Sequence, residues 1–319
     1  MRSPLASLAL ALAAGLLGLA LATRASAVPA VPLGDEDWAA VWARARALHD
    51  SEASLAGQDD PDPEALAANQ SSAEELARVA QAHPGDGRAE LLLAWLARRE
   101  GSEHALVVPR EWPWAGAENW IAAYALEPGP QRTQALVRAL EAQELEPTRA
   151  ELLLAWNAGL QYATDLLWMD EAAAVQRALH ARYEATWSAM NLAYTLHRGG
   201  DWEGADAVLE RSLERASEQG LSAAERADLW NNRGLIATGA GQERLGLDCL
   251  GRALGLGSQD AALILARREL FEGRLEQARA GFRGLLLAPE PHAWTLRGWG
   301  VSLLQRPGVD GRADEGADR

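Results

Sequence analysis

The stretch Gly200-Asp201-Trp202-Glu203-Gly204-Ala205 decides the fold, because it separates two helical patterns and recurs in outline further along the chain. It follows a predicted helix that contains Asn191-Leu192-Ala193. Leu209 and Ser212 then continue at helical spacing on its C-terminal side. The segment therefore predicts a glycine turn between two helices that pack as a pair.

The same scheme returns twice toward the C-terminus. Trp230-Asn231-Asn232-Arg233-Gly234 opens a predicted helix that stops near Gly239 and Gly241, and the residues from Leu265 to Pro289 repeat the scheme once more. A literal repeat lies upstream, where Arg88–Trp95 recurs as Arg149–Trp156. A single helical hairpin cannot bury its apolar stripe, so recurring pairs predict a stack with a continuous core. Small residues at the crossings allow the helix axes to approach closely.

These residues resemble the tetratricopeptide repeat (TPR) family, whose unit is a pair of antiparallel helices. The resemblance covers three units most clearly, and the matching positions are Leu192, Ala193, Gly200, Asp201, Trp202, Ala205 and Leu209; Trp230, Gly234, Gly241, Gly246, Leu250 and Ala253; and Leu265, Ala266, Gly273, Ala278 and Phe282. It implies an all-α fold, a right-handed α-solenoid of antiparallel helix pairs whose first helices line a concave groove.

The predicted organisation follows from the repeats and their departures. It comprises a signal peptide at 1–27, an N-terminal helix (about 36–48) with an acidic linker within 28–63, degenerate repeats at 64–150, the TPR array at 151–290, a capping helix at 291–306 and a disordered tail at 307–319. Prolines make 101–116 an insertion that is not helical. Extra residues at 216–224 predict either a longer helix from Trp202 or a larger loop after it.

The N-terminus has the order of a secretory signal. Arg2 precedes an almost continuously apolar run from Leu5 to Ala22, and small residues offer a cleavage site after Ala27. This predicts export to the periplasm or the extracellular space. An uncleaved N-terminal membrane anchor is the alternative, because about 18 apolar residues can just span a bilayer.

The composition excludes several classes of protein. The chain has 319 residues with a net charge of −15, and all 30 of its basic residues are arginine. An acidic chain without a basic run is not expected to bind nucleic acid. Abundant alanine and few β-branched residues disfavour a β-sandwich or barrel. The single cysteine, Cys249, cannot form an internal disulfide.

Catalytic spacings are absent from the sequence, and the chain is predicted not to be an enzyme. The absence of lysine excludes Schiff-base and phosphate-loop lysine chemistry. The six histidines lack a second histidine or a cysteine at ligand spacing, so we expect no metal and no cofactor. Cys249 falls within a predicted second helix, where a small buried apolar role is favoured over a nucleophile.

The resemblance also implies which residues line the groove. Its predicted partner-binding positions are Trp156, Trp187, Met190, Tyr194, His197, Arg198, Asn231 and Arg267, accompanied by Asp228, Leu235, Thr238, Asp260 and Leu263. Aromatic side chains offer apolar area with a polar group, which suits a peptide anchor. The alternative is that Trp187 and Tyr194 pack between units as core. A lysine-based clamp for a C-terminal carboxylate is not expected, because the chain has no lysine.

Trp112 and Trp114, beside prolines in the insertion, form a second candidate patch. They could instead fold back and fill the place of a missing helix.

The pattern as a whole predicts a non-catalytic scaffold that binds a protein or peptide partner in the cell envelope. A structural or oligomerisation module and an accessory subunit of an envelope enzyme, with a site in residues 28–150, are the alternatives.

Overall fold

The computed structural model describes residues 33–56, 58–102, 106, 108 and 114–287. Within these ranges the chain forms thirteen α-helices and one π-helical turn and contains no β-strand, so the prediction of an all-α fold is confirmed there. The predicted signal peptide, capping helix and C-terminal tail lie outside the described residues, as does Trp112. The helices form two compact units that meet in sequence between Arg182 and Tyr183.

The first unit holds the N-terminal helices. Their bounds are α1 Asp35–Leu55, α2 Pro63–Ala82, α3 Gly87–Arg99, α4 Ala117–Ala125, α5 Pro130–Glu141 and α6 Arg149–Gln161, then the π-helical turn Tyr162–Leu166 and α7 Met169–Tyr183, which reaches the boundary. The described residues between Gly101 and Gly116 are not helical, in agreement with the proline-containing insertion expected there.

The second unit continues as a series of helix pairs. Its helices are α8 Thr186–Arg198, α9 Trp202–Glu214, α10 Ala223–Gly239, α11 Glu243–Gly255, α12 Gln259–Phe271 and α13 Leu275–Leu286. Each helix packs on the next along the chain, and α8 also packs on α10. The chain turns sharply after α8 and α10 at Gly200 and Gly241, whose positive φ angles of 87° and 78° favour glycine.

Side-chain caps fix where many of the helices begin. An oxygen of the residue just before the helix accepts a hydrogen bond from an early backbone N–H, which satisfies a donor that the helix itself leaves unpaired. The capping residues are Asp62 before α2, Asp86 before α3, Thr148 before α6, Asp201 before α9, Ser222 before α10 and Ser258 before α12.

Helix α10 begins earlier than its sequence pattern indicates, so the prediction that Trp230 opens it is wrong. The Ser222 hydroxyl accepts from the Glu225 N–H at 3.2 Å, and the Glu225 carboxylate accepts from the Ser222 N–H at 2.9 Å. This reciprocal cap starts the helix at Ala223. Helix α9 ends at Glu214, so the larger loop, and not a longer α9, accounts for part of the extra length.

Helix α1 is a central element of the first unit. It is longer than the predicted 36–48 and packs on α2, α4 and α6. Its buried face consists of Trp38, Trp42, Ala45 and Leu48. The two indoles stack with ring centroids 5.5 Å apart. Because α4 and α6 lie far along the sequence, the core of this unit is closed by long-range contacts.

Glycines allow a close helix crossing in the second unit, between α10 and α11. A Cβ atom at Gly234 would lie 2.8 Å from the Leu250 Cγ, and one at Gly246 would lie 3.0 Å from the Gly234 carbonyl oxygen. Gly246 also meets Thr238. Residues later in α10 therefore meet residues earlier in α11, which means that the two helices are antiparallel.

Candidate partner-binding face

Most of the predicted groove residues lie on three helices of the second unit. Trp187, Met190, Tyr194, His197 and Arg198 belong to α8, Asn231 to α10 and Arg267 to α12. Trp156 belongs to α6 in the first unit, where its side chain is half-buried.

Helices α8 and α10 lie side by side and run in the same direction. The Asn232 Nδ2 contacts the Met190 Sδ at 3.1 Å, and these residues are 42 positions apart. The His197 ring packs on Gly239, also 42 positions away, so closely that a Cβ there would lie 2.8 Å from the His197 Nε2. The same offset at two places, seven residues apart on each helix, fixes a parallel register.

The parallel register brings two exposed apolar side chains to the same level. Tyr194 on α8 is 39% exposed and Leu235 on α10 is 45% exposed. They are 41 positions apart, one short of the register offset. The Arg198 guanidinium lies 5.9 Å from the centre of the Tyr194 ring. We call the exposed side of these helices the first-helix face, comprising Met190, Tyr194, Arg198, Asp228, Leu235, Asp260 and Arg267.

The first-helix face is acidic toward the start of its helices. Asp228 lies in the first half of α10, and Asp260 is the second residue of α12. Partial burial raises the pKa of Asp228 above its usual value, and the negative charges of Asp260 and Glu225 add to that rise. The two helix starts are thus close enough for their carboxylates to repel one another.

The opposite end of the face is basic. Arg198 is the last residue of α8, and Arg267 lies in the second half of α12; both are exposed. Cations near helix C-termini and anions near helix N-termini are both favoured by the helix dipole. The face therefore offers an apolar middle between an acidic and a basic end.

Three of the predicted groove residues are set below this surface. Trp187 is half-buried, and its ring lies 5.8 Å from that of Tyr183. Asn231 is only 8% exposed, and its Oδ1 has no hydrogen-bond partner among the described residues. His197 is half-buried against Gly239. These side chains pack beneath the face and contribute little of its exposed surface.

The sequence did not predict two residues that contribute beside the face. Asn232 ties α10 to α8 through Met190, and its Nδ2 also donates to the Asp228 carbonyl oxygen at 2.9 Å. Glu225 contributes to the acidic end. The spacing of Ser222 and Glu225, typical of a capping box, is the signal that could have placed Glu225 near the helix start.

The two tryptophans of the insertion were predicted to form a second exposed patch, and the structure describes only one of them. Trp114 is 4% exposed and belongs to the core of the first unit, so its indole is not at the surface. Trp112 lies outside the described residues, and its exposure stays a prediction.

The described part of the chain holds no group of three or more His, Cys, Asp or Glu side chains arranged to bind a metal. Cys249 is fully buried, and burial raises the pKa of its thiol, which keeps it from forming a reactive thiolate.

Among the helices of the described residues, none has the length and apolarity needed to cross a membrane. Comparison of the chain with known family models and with curated proteins gave no match.

Proposed function

We propose that the chain is a non-catalytic scaffold of the TPR type that binds an extended segment of a protein or peptide partner on the first-helix face. The observation that carries the proposal is the parallel register of α8 and α10, which sets the exposed Tyr194 and Leu235 at the same level along the two helices. Soluble proteins use exposed aromatic and apolar side chains, framed by polar groups, as anchors for partners.

The charges of the face suggest how a partner segment is oriented. Its cationic side chains pair with the acidic end, near Asp228 and Asp260, and its anionic side chains or C-terminus with Arg198 and Arg267. Relief of the mutual repulsion between the carboxylates adds to the binding free energy at the acidic end. Peptides in helical grooves are held in this manner by a few anchors.

The experiment is capture of partners from extracts of the source cells with the folded protein as bait. The Tyr194→Ala/Leu235→Ala double variant removes both anchors. Leu254→Ala is the matched control, because Leu254 is 46% exposed but lies on the second helix of its pair. A partner that binds the wild type and the control and is lost with the double variant supports the proposal. Equal recovery by all three proteins excludes the first-helix face as the binding site.

Export to the cell envelope is part of the same proposal. The apolar run from Leu5 to Ala22 and the small residues before Val28 support it. Mass spectrometry of the protein purified from the source cells tests it directly, with a mature N-terminus at Val28 as the expected result. An intact N-terminus in the membrane fraction would favour the uncleaved anchor.

An oligomerisation module is the second candidate function. Phe271 at the end of α12 is 81% exposed, and Leu287 just after α13 is 84% exposed. Such large exposed side chains are suited to contact between copies of the chain. Light scattering that shows a defined oligomer, lost on Phe271→Ser, would favour this function over a monomeric scaffold.

A further inference from the structure

The connection between the π-helical turn and α7 consists of two large apolar residues that are exposed to solvent. Leu167 and Trp168 are the only residues between Leu166, which ends the turn, and Met169, which begins α7. The side chain of Leu167 is 60% exposed, and that of Trp168 is 38% exposed. Glycine and small polar residues dominate such short connections, so two large apolar side chains call for a physical explanation.

The stability of the fold does not explain a leucine at position 167. Its φ angle is 55° and its ψ angle is 30°, which places Leu167 in the left-handed region. That conformation is unfavourable for a residue with a Cβ atom, whereas glycine adopts it freely. Because the side chain is exposed, Leu167 recovers little of this free energy through packing. Strain of this kind clusters at binding sites, where a contact with another molecule offsets it.

Trp168 is held in one position although part of its ring faces solvent. Its backbone N–H donates to the Tyr162 carbonyl oxygen at 2.8 Å, across the π-helical turn. Its ring lies 5.8 Å from the ring of Tyr162, which is fully buried. Its carbonyl oxygen accepts from the Ala172 N–H near the start of α7. An aromatic side chain that is fixed before binding loses little conformational entropy when a partner covers it.

Three carboxylates, and no basic residue, flank the pair along the chain. They are Asp165, Asp170 and Glu171, and none of them forms an ion pair with another described residue. Arginine, lysine and histidine are all absent from the whole stretch 150–176. Asp170 and Glu171 also suit the dipole at the start of α7, so their effects on folding and on binding have to be measured separately. Positive charge on a partner would complement this acidic stretch.

We propose that Leu167 and Trp168 are anchors that insert into an apolar pocket of a second protein, and that basic side chains rim this pocket. Tryptophan is among the residues that contribute most to binding at protein interfaces, and the flanking carboxylates fix the sign of the charge on the rim. The same carboxylates disfavour an anionic membrane surface, and the net charge of −15 disfavours a second copy of the chain.

This surface goes beyond the proposed function. The pair belongs to the first unit and shares no residue with the first-helix face, which is formed by helices of the second unit. The two surfaces can therefore be tested independently, because a substitution at one leaves the residues of the other unchanged.

Photocrosslinking from position 167 identifies what covers the pair. A photoreactive leucine analogue replaces Leu167 in the full chain, and the same analogue at Leu66, which is 47% exposed on α2, is the matched control. After irradiation in an extract of the source cells, mass spectrometry locates the crosslinked peptide. We expect a protein adduct from position 167 alone, at apolar residues that lie beside arginine or lysine. The proposal is overturned by no adduct, by the same adducts from both positions, by an adduct with a lipid or with the chain itself, or by a crosslinked site without basic residues.

The partner isolated in this way separates binding from folding at Leu167. Leu167→Gly removes both the side chain and the left-handed strain. Its melting temperature should equal or exceed that of the wild type, while its affinity for the isolated partner should fall at least about tenfold. Leu66→Ser is the control and should retain the wild-type affinity. An unchanged affinity of Leu167→Gly, whatever its melting temperature, overturns the proposal.

The charge of the rim is tested with Asp170→Asn/Glu171→Gln. The affinity of the wild type for the isolated partner should fall as sodium chloride is raised from about 0.05 M to about 0.5 M, because salt screens the attraction. The double variant should bind more weakly at low salt and respond less to salt. Asp59→Asn/Asp60→Asn, in the exposed loop before α2, is the control and should behave like the wild type. Equal salt dependence of the two double variants overturns the proposal.

Discussion

Arg46 on α1 and Glu151 on α6 form a two-point ion pair across 105 positions of sequence. The Arg46 Nε lies 2.5 Å from the Glu151 Oε1, and one of its terminal nitrogens lies 2.7 Å from the Oε2. Both side chains are largely withdrawn from solvent. The Glu151 carboxylate also accepts the Thr148 N–H, so one acidic group joins α1 to the cap of α6.

Removal of one partner of this pair should strongly destabilise the protein. Arg46→Met leaves the buried Glu151 carboxylate without its cation, at an expected cost of about 3–5 kcal/mol in the free energy of unfolding. Urea denaturation followed by circular dichroism measures it. Replacing both residues, as Arg46→Met/Glu151→Gln, should recover part of the loss because no charge then remains buried.

An exposed ion pair between α1 and α2 supplies the control. Arg44 and Glu75 are 2.5 Å apart, but both side chains are more than 40% exposed. Arg44→Met should therefore cost no more than about 1 kcal/mol. Equal losses from Arg44→Met and Arg46→Met would contradict the role assigned to the buried pair.

Two glycines of α11 should respond in opposite ways to alanine. Gly246→Ala places a methyl group against Gly234 and Thr238 at the helix crossing, with an expected loss of about 1–3 kcal/mol in the free energy of unfolding. Gly251 has no neighbouring atom within 4 Å of the added Cβ, so Gly251→Ala should stabilise the helix by about 0.4–1 kcal/mol. Thermal or urea unfolding distinguishes the two; a neutral Gly246→Ala would show that the crossing is loose.

The acidic end of the first-helix face should make stability depend on pH. The folded state raises the pKa of Asp228, so the folded protein holds its proton more tightly than the unfolded chain. Ionisation of Asp228 therefore removes stability as the pH rises through the range between the unfolded and the folded pKa. Asp228→Asn should melt higher than the wild type at neutral pH, and this difference should vanish as the pH falls below about 3.9.

Calorimetry across that pH range checks the effect. Asp59→Asn, in the exposed loop before α2, is the matched control and should change the melting temperature little at any pH. A difference for Asp228→Asn that is the same at every pH would show that the substitution acts through packing and not through the charge.

Cys249 should report on the opening of the second unit. It is buried in α11, and burial raises the pKa of its thiol, so alkylation by iodoacetamide should be very slow in the folded protein. Mass spectrometry of samples labelled at increasing urea concentrations should show modification appearing together with loss of helical signal. Rapid labelling without denaturant would mean that α11 opens locally.

Local sequence signals predicted much of the helix order, and their limits have physical causes. Glycine, proline and capping residues act within one turn, so the end of α8, the start of α9 and the gap before α4 could be predicted. The central position of α1 was not, because its partners Glu118 and Glu151 are brought to it only by the tertiary fold. The π-helical turn at Tyr162 has no sequence signal that we recognise.

The sequence predicted which residues belong to the candidate face, but it did not predict which of them are exposed. Trp187 and Tyr194 are seven positions apart on α8, close to two helical turns, so periodicity alone places them on the same side. Only the packing separates them: Tyr183 lies against Trp187, while Tyr194 remains exposed. Sequence could not decide between groove and core at these positions, because the deciding contacts come from a neighbouring helix.

The long-range pairing of α1 with α6 has a consequence for how the chain folds. Until about 150 residues have been synthesised, Arg46 has no Glu151 to bind and the buried face of α1 has only part of its cover. In the second unit the contacts that we describe join residues at most 42 positions apart, so its pairs can form one after another as the chain emerges. Folding rates fall as contacts become less local. We therefore expect refolding in two kinetic phases, a fast one from the second unit and a slower one from the first.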